Sequence, residues 1–148
     1  MNIKTQGGFL ISQIKQQAGR IFEKILNEKN IDEFNGAQGR ILYILWQNES
    51  IPIIELSQKT GLAKTTLTSM LDRMEKSGLI KRIYDKKDRR KTLIILTDKA
   101  RNLQQAYNEV SSQMNDIYYK GFTEEEIVQF ENYLLRILNN LNGGSNNE

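Results

Sequence analysis

Apolar residues recur at helical spacing along most of the chain. Over 9–31, Leu10, Ile14, Ala18, Ile21, Phe22 and Ile25 follow that spacing, with Gln, Lys, Arg and Glu between them. Asn35-Gly36 breaks the pattern. Asn35 is placed to cap a helix over 36–47 that buries Ile41, Leu42, Ile44 and Leu45. Pro52 stands where the next helix begins, a position proline tolerates. That helix runs over about 53–60 and ends at Gly61. The following one, over about 64–77, sets Leu67, Met70, Leu71 and Met74 on one face at i, i+3, i+4 and i+7, and Gly78 ends it. Further on, Thr97 is placed to cap one long helix over 98–119 carrying Ala100, Leu103, Ala106, Val110, Met114 and Ile117. Gly121 breaks it. Thr123 with Glu126 forms a capping box for a last helix over about 124–141, with Ile127, Phe130, Leu134, Ile137, Leu138 and Leu141 on its apolar face.

One stretch departs from helical spacing. After Gly78-Leu79, IKRIY and TLIILT read as two short strands around the loop DKKDRRK. The order helix, Gly-containing turn, helix, hairpin is that of a helix-turn-helix followed by a β-wing. The expected fold is therefore mainly α with a small β-wing: a winged helix-turn-helix flanked by long helices. A compact winged helix closes its own small core, so the apolar faces of those flanking helices need a partner. In a monomer those helices would fold back as a helical lid; the expectation is a homodimer, because one reading helix spans too few base pairs and two-fold symmetry doubles the site.

Charge sharpens the picture. The chain is only +3 overall, yet residues 73–101 hold eleven Lys/Arg against four Asp/Glu, a net of +7, which leaves the remainder at −4. Such a block points to a localised polyanion site. A basic run taken alone also describes a solvated loop; the helix-turn-helix beside it favours double-stranded DNA. The alternative is a winged-helix interaction module docking on an acidic partner.

Composition excludes several chemistries. Cysteine and histidine are both absent. Disulfides, thiolate zinc sites and peroxide-sensing thiols are ruled out, and acid–base catalysis near neutral pH loses its usual residue. No clustered carboxylates suggest a metal. Gly7-Gly8 and Gly143-Gly144 lack the strand–turn–helix setting of a nucleotide loop. No enzyme and no cofactor are expected. No apolar run approaches a membrane span and the N-terminus lacks a signal-peptide layout, so the expected location is cytoplasmic, with no membrane partner.

At the wing, Asp88-Arg89-Arg90-Lys91-Thr92-Leu93-Ile94-Ile95-Leu96-Thr97 resembles the D-x-R…L-x-LT signature of the MarR (multiple antibiotic resistance regulator) family. Glu55-Leu56, Gly61-Leu62, Thr66-Leu67-Thr68, Leu71-Asp72-Arg73-Met74-Glu75 and Gly78-Leu79-Ile80 are similar to the same family. The likeness covers nearly the whole chain and is densest over 53–97. It implies one MarR-like domain over 1–148, with a winged helix-turn-helix DNA-binding region over 34–98. It also implies a helical dimerisation region over 1–33 and 99–141, and a flexible tail over 142–148 is expected. It further implies a regulator, here read as a repressor, that binds pseudo-palindromic operators as an obligate homodimer and releases them to a small-molecule effector. Without Cys or His, the oxidant- and zinc-sensing modes of the family are excluded or in doubt.

Residue roles follow. Lys64, Thr65, Thr66, Thr68 and Ser69 stand near the start of the reading helix, where hydroxyls reach base edges or phosphates and Thr methyls meet thymine methyls. Threonine at three of four positions lowers helix propensity and adds nothing to the core, which favours contact over mere tolerance. Arg73 is placed as a phosphate clamp, or else pairs with Asp72 or a neighbour near Glu75. Arg90 matches the family's minor-groove arginine. Asp88 either orients that guanidinium or caps the hairpin, or does both. Lys86, Lys87, Arg89 and Lys91 supply phosphate attraction. Phe22, Tyr43, Trp46 and Tyr107 border the family's usual pocket, but aromatics at helical spacing read first as core, and no effector residue is assigned.

Overall fold

Side-chain capping starts three of the seven helices among residues 3–143, the part of the chain that a computed structural model describes. The first helix, α1 (Gly7–Glu28), ends three residues short of expectation. Asn30 takes the left-handed conformation, φ 57°, and the Ile31 N–H bonds back to the Leu26 carbonyl at 2.9 Å, closing the helix end. Helix α2 (Gly36–Trp46) opens on the expected Asn35 cap. Asn35 Oδ1 accepts from the Gln38 N–H at 2.8 Å, and Gln38 Oε1 accepts in return from the Asn35 N–H at 3.1 Å.

A short strand, β1 (Ile51–Pro52), precedes α3 (Ile53–Thr60) and α4 (Lys64–Lys76). Between these two helices Gly61 sits at φ 74°, and after α4 Gly78 sits at φ 80°. Both turns require the left-handed region, which glycine enters without a Cβ clash. Strands β2 (Ile80–Tyr84) and β3 (Thr92–Leu96) flank the basic loop, with Ile80 opposite Leu96 and Tyr84 opposite Thr92. The sheet is antiparallel in the order β1-β3-β2, and Ile51 pairs with Ile94. The residue pattern predicts two strands where the structure has three. A two-residue strand shows no alternation, and its proline fits because β1 is an edge.

The helix expected over 98–119 is two helices, α5 (Asp98–Arg101) and α6 (Gln104–Tyr118). Thr97 caps the first, as expected, accepting from the Ala100 N–H at 3.2 Å. The Ala100 carbonyl then accepts the Trp46 indole N–H at 3.0 Å and the Leu103 N–H at 3.1 Å, which tightens the chain and interrupts the regular ladder. Helix α7 (Glu124–Leu141) begins with the expected box: the Thr123 hydroxyl accepts from the Glu126 N–H at 3.1 Å, and the Glu126 carboxylate from the Thr123 N–H at 2.8 Å.

Packing divides the chain into two compact units, Met1–Met114 and Asn115–Glu148. The first holds a continuous core. Ile41, Leu42 and Leu45 of α2, Leu56 of α3, Leu67, Leu71 and Met74 of α4, and Ile94 of β3 are buried almost completely. Ile25 and Leu26 of α1 and Val110 of α6 join it. No polar or charged residue is buried among the described residues. In the second unit Tyr119 meets Phe122 and Phe130 edge-on, and its hydroxyl donates to Glu131 at 2.6 Å. The expected flexible tail over 142–148 lies outside the described residues from position 144 onward.

Candidate nucleic-acid interface

Helix α4 divides its two faces cleanly. Leu67, Leu71 and Met74 are buried against the core, and this burial fixes the rotation of the helix. Lys64, Thr65, Thr66, Thr68, Ser69 and Arg73 are all exposed as a consequence. Ala63 precedes the helix without a side-chain cap, so the first-turn N–H groups point outward unsatisfied by any cap, where an anion can meet them. The Thr68 hydroxyl donates to the Lys64 carbonyl at 2.8 Å. Its proton is thus committed to the helix, leaving an acceptor oxygen and a methyl for any partner. Arg73 forms no ion pair with Asp72 or Glu75. Both carboxylates are taken by Arg82 of β2, at 2.7 and 2.9 Å.

The loop of the wing is a hydrogen-bonded turn. The Asp85 N–H donates to the Lys91 carbonyl at 3.1 Å and the Lys91 N–H to the Asp88 carbonyl at 3.0 Å. Asp85 Oδ1 accepts from the Lys87 N–H at 2.9 Å. Asp88 Oδ1 accepts from both the backbone N–H and the Nε–H of Arg90, each at 3.1 Å. Asp88 therefore both caps the turn and holds the guanidinium. Arg90's side-chain bond, then its backbone bond, and the charge of Lys91 keep the Asp88 carboxyl below its ordinary value. The Arg90 side chain is still 91% exposed. Lys86, Lys87, Arg89 and Lys91 are exposed and, among the described residues, form no ion pair.

Tertiary packing brings part of the predicted set together. Lys64 and Thr68 of α4 and Arg90, Lys91 and Thr92 of the wing line one cleft of about 800 Å³, together with Pro52, Ile53, Ile54 and Glu55. Lys86 and Arg89 instead line a separate depression with Tyr84, a residue that is 71% exposed. Two neighbours of the site, Arg82 and Tyr84, carry no signal in the sequence pattern. Both lie on a strand among other charges, where no periodicity marks them. The Asp72/Glu75 spacing on one helix face was the available hint.

The aromatics follow the core reading in part. Tyr107 packs against Trp46, Phe22, Phe34 and Tyr43 with ring centroids 5.1, 6.0, 6.1 and 6.1 Å away. Burial, then the nearby Tyr43, raises its phenol pKa. Tyr43 itself stays half exposed. Among the described residues no group of three or more carboxylates could hold a metal. Among the described residues no helix is long and apolar enough to cross a membrane.

An exposed Thr-rich helix, a left-handed Gly turn before it and a cationic hairpin after it define a winged helix-turn-helix protein. The chain belongs to the MarR family: the family's sequence model matches residues 34–92, and a relative at 35% identity aligns along most of both chains. An uncharacterized HTH-type transcriptional regulator of Bacillus subtilis, YsmB, is 35% identical over 130 residues, covering 86% of this chain and 83% of the relative. The homoprotocatechuate degradative operon repressor of Escherichia coli is 30% identical over 125 residues, covering 82% and 80%. Among solved structures, a MarR mutant from E. coli complexed with operator DNA superimposes with a TM-score of 0.78 at 25% identity, covering 88% of this chain and 92% of that one. The chain is accordingly a MarR-family transcriptional regulator and not an enzyme.

Proposed function

We propose that this regulator is a repressor that binds a pseudo-palindromic duplex as a homodimer in the cytoplasm and is released by a small molecule. The observation that carries the reading is the shared face of Lys64 and Thr68 with Arg90 and Lys91. Helix α4 enters a major groove there, with Lys64, Thr65, Thr66, Thr68 and Ser69 toward base edges and Arg73 toward a phosphate. Arg90 takes the adjacent minor groove, held by Asp88, while Lys86, Lys87, Arg89 and Lys91 attract the backbone. Residues 34–98 form the DNA-binding region of one domain over 1–148.

Exposed apolar side chains support the dimer. Phe9, Leu10, Ile11 and Ile14 of α1 are 40–70% exposed, and Val128, Leu135, Ile137, Leu138 and Leu141 of α7 are 42–78% exposed. Apolar surface of this extent on each helix, one of 22 and one of 18 residues, marks each by itself as an interaction face. Residues 1–33 and 99–141 are therefore the dimerisation region. Release by a small molecule rests on the family resemblance, in which an effector binds between the dimerisation and DNA-binding regions; no residue of this chain is assigned to it.

The test is selection of genomic fragments by the full-length protein, followed by footprinting and sedimentation equilibrium at micromolar concentration. The reading requires a two-fold symmetric footprint, with half-sites about one helical turn apart, and a dimeric mass. A monomeric mass, or protection of one asymmetric half-site, contradicts it.

A further inference from the structure

Arg82 of β2 reaches back to α4 through three groups. Its Nη2 meets Asp72 Oδ1 at 2.7 Å, its Nη1 meets Glu75 Oε1 at 2.9 Å, and its backbone N–H donates to Glu75 Oε2 at 3.3 Å. The Arg82 side chain is 23% exposed. Asp72 and Glu75 stand one turn apart on the helix, and the planar guanidinium spans them. A lone exposed ion pair contributes little to stability. A fork shared by two carboxylates and backed by a backbone bond is a different object, because it fixes direction as well as distance. The strand it fixes leads directly into the wing, and the helix it grips carries the exposed Thr-rich face.

We propose that Arg82 is a positioning residue for duplex recognition: by bridging Asp72 and Glu75 it sets the wing at a fixed distance and angle from α4. The inference rests on the DNA-binding reading above. With the bridge in place, Arg90 is held over the groove flanking the one that α4 enters. The bridge also cancels two carboxylates beside Arg73 that would otherwise repel phosphate. Lysine is a poor substitute, since its ammonium, although able to meet both carboxylates, lacks the planar fork that fixes their direction.

The experiment compares wild type, Arg82→Lys, Arg82→Met, Arg90→Ala and the double variant Arg82→Met with Arg90→Ala as full-length protein. Isotherms are measured at several salt concentrations on the selected duplex and on one altered only at its flank. Amide exchange of residues 81–95 is followed without DNA. Arg82→Lys is expected to lose flank discrimination by roughly tenfold, as Arg90→Ala does, with an unchanged salt slope. Arg90→Ala added to Arg82→Met is expected to cost no further discrimination. Amides of the wing are expected to exchange faster in both Arg82 variants, with those of α1 and α7 unaltered. Wild-type discrimination in Arg82→Lys would overturn the proposal. So would intact flank preference in Arg82→Met with a salt slope reduced by about one phosphate, which would make Arg82 a direct backbone contact. If wild type selected no duplex, the DNA-binding reading would fall, and the exchange data alone would still decide whether the bridge holds the wing: unchanged exchange overturns it.

Discussion

One carboxylate oxygen of Asp88 holds Arg90 at two points, its backbone N–H and its Nε–H, each at 3.1 Å. The turn and the guanidinium are thus set by the same atom. An acidic residue in a loop of cations is explained by what it holds, not by what it would touch on a polyanion.

Arg90→Ala should therefore cost about 1–3 kcal/mol of duplex binding, concentrated on A·T pairs at the flank of the site. Asp88→Ala should reproduce part of that loss of preference, because it frees the guanidinium without removing it. Lys86→Ala should weaken all sequences alike and reduce the salt slope by about one phosphate contact. Isotherms on matched and flank-altered duplexes separate the three. Equal tightening on every duplex by Asp88→Ala would leave Asp88 as a repulsive charge alone.

The two faces of α4 should respond oppositely to truncation. Leu67 is fully buried, so Leu67→Ala should destabilise the fold by about 2–5 kcal/mol in denaturant unfolding. Thr66 is exposed, so Thr66→Ala should hold stability, or raise it by a few tenths of a kcal/mol through helix propensity, while weakening the duplex. Unaltered duplex affinity in Thr66→Ala would remove that residue from the interface.

Gly39 is buried beneath the ring of Tyr107, and a Cβ there would lie 3.0 Å from its Cε2. Alanine gains up to about 1 kcal/mol of helix propensity at such a site. Displacing a ring that also packs on Trp46 costs about 1–3 kcal/mol. Gly39→Ala should therefore lower the melting temperature and change Trp46 fluorescence. A rise in melting temperature would show that the ring yields freely.

Neutral pH should leave binding unchanged. The folded-state pKa of Asp88 lies below its ordinary 3.8, so its contribution is present above that value and is lost as pH falls through the lower one. Tyr119 is shifted upward from 10.0, by burial first and then by its bond to Glu131; its contribution holds below 10.0 and is lost as pH rises through the higher value. No histidine lies between them. Duplex affinity should vary less than about twofold between about pH 5.5 and 8.5, and ultraviolet titration should show Tyr119 ionising late. A transition near neutrality would expose a titrating group at the interface.

The limits of the sequence appear at particular residues. The turn at Gly61, the caps at Asn35, Thr97 and Thr123, and the strands at 80–84 and 92–96 were all legible, because each depends on neighbours within a few positions. So was the division of α4 into a buried and an exposed face, since a helix repeats its environment every three to four residues. The Asp88–Arg90 contact was readable as well, being two residues long. What sequence alone missed involves distant partners. Trp46 meets the Ala100 carbonyl across 54 positions and helps split a helix that local periodicity draws as one. The two residues of β1 become a strand only because β3 offers Ile94 and Leu93 to pair with. Arg82 finds Asp72 and Glu75 only once the chain has reversed at Gly78 and laid β2 beside α4. Local sequence determined which residues face outward and which start or stop an element, because those choices are made by backbone conformation and nearest neighbours. Tertiary structure decided which outward residues share a cleft and which charges cancel, because side chains far apart in sequence meet only when burial of Leu67, Leu71, Met74 and Ile94 has fixed the elements against one another.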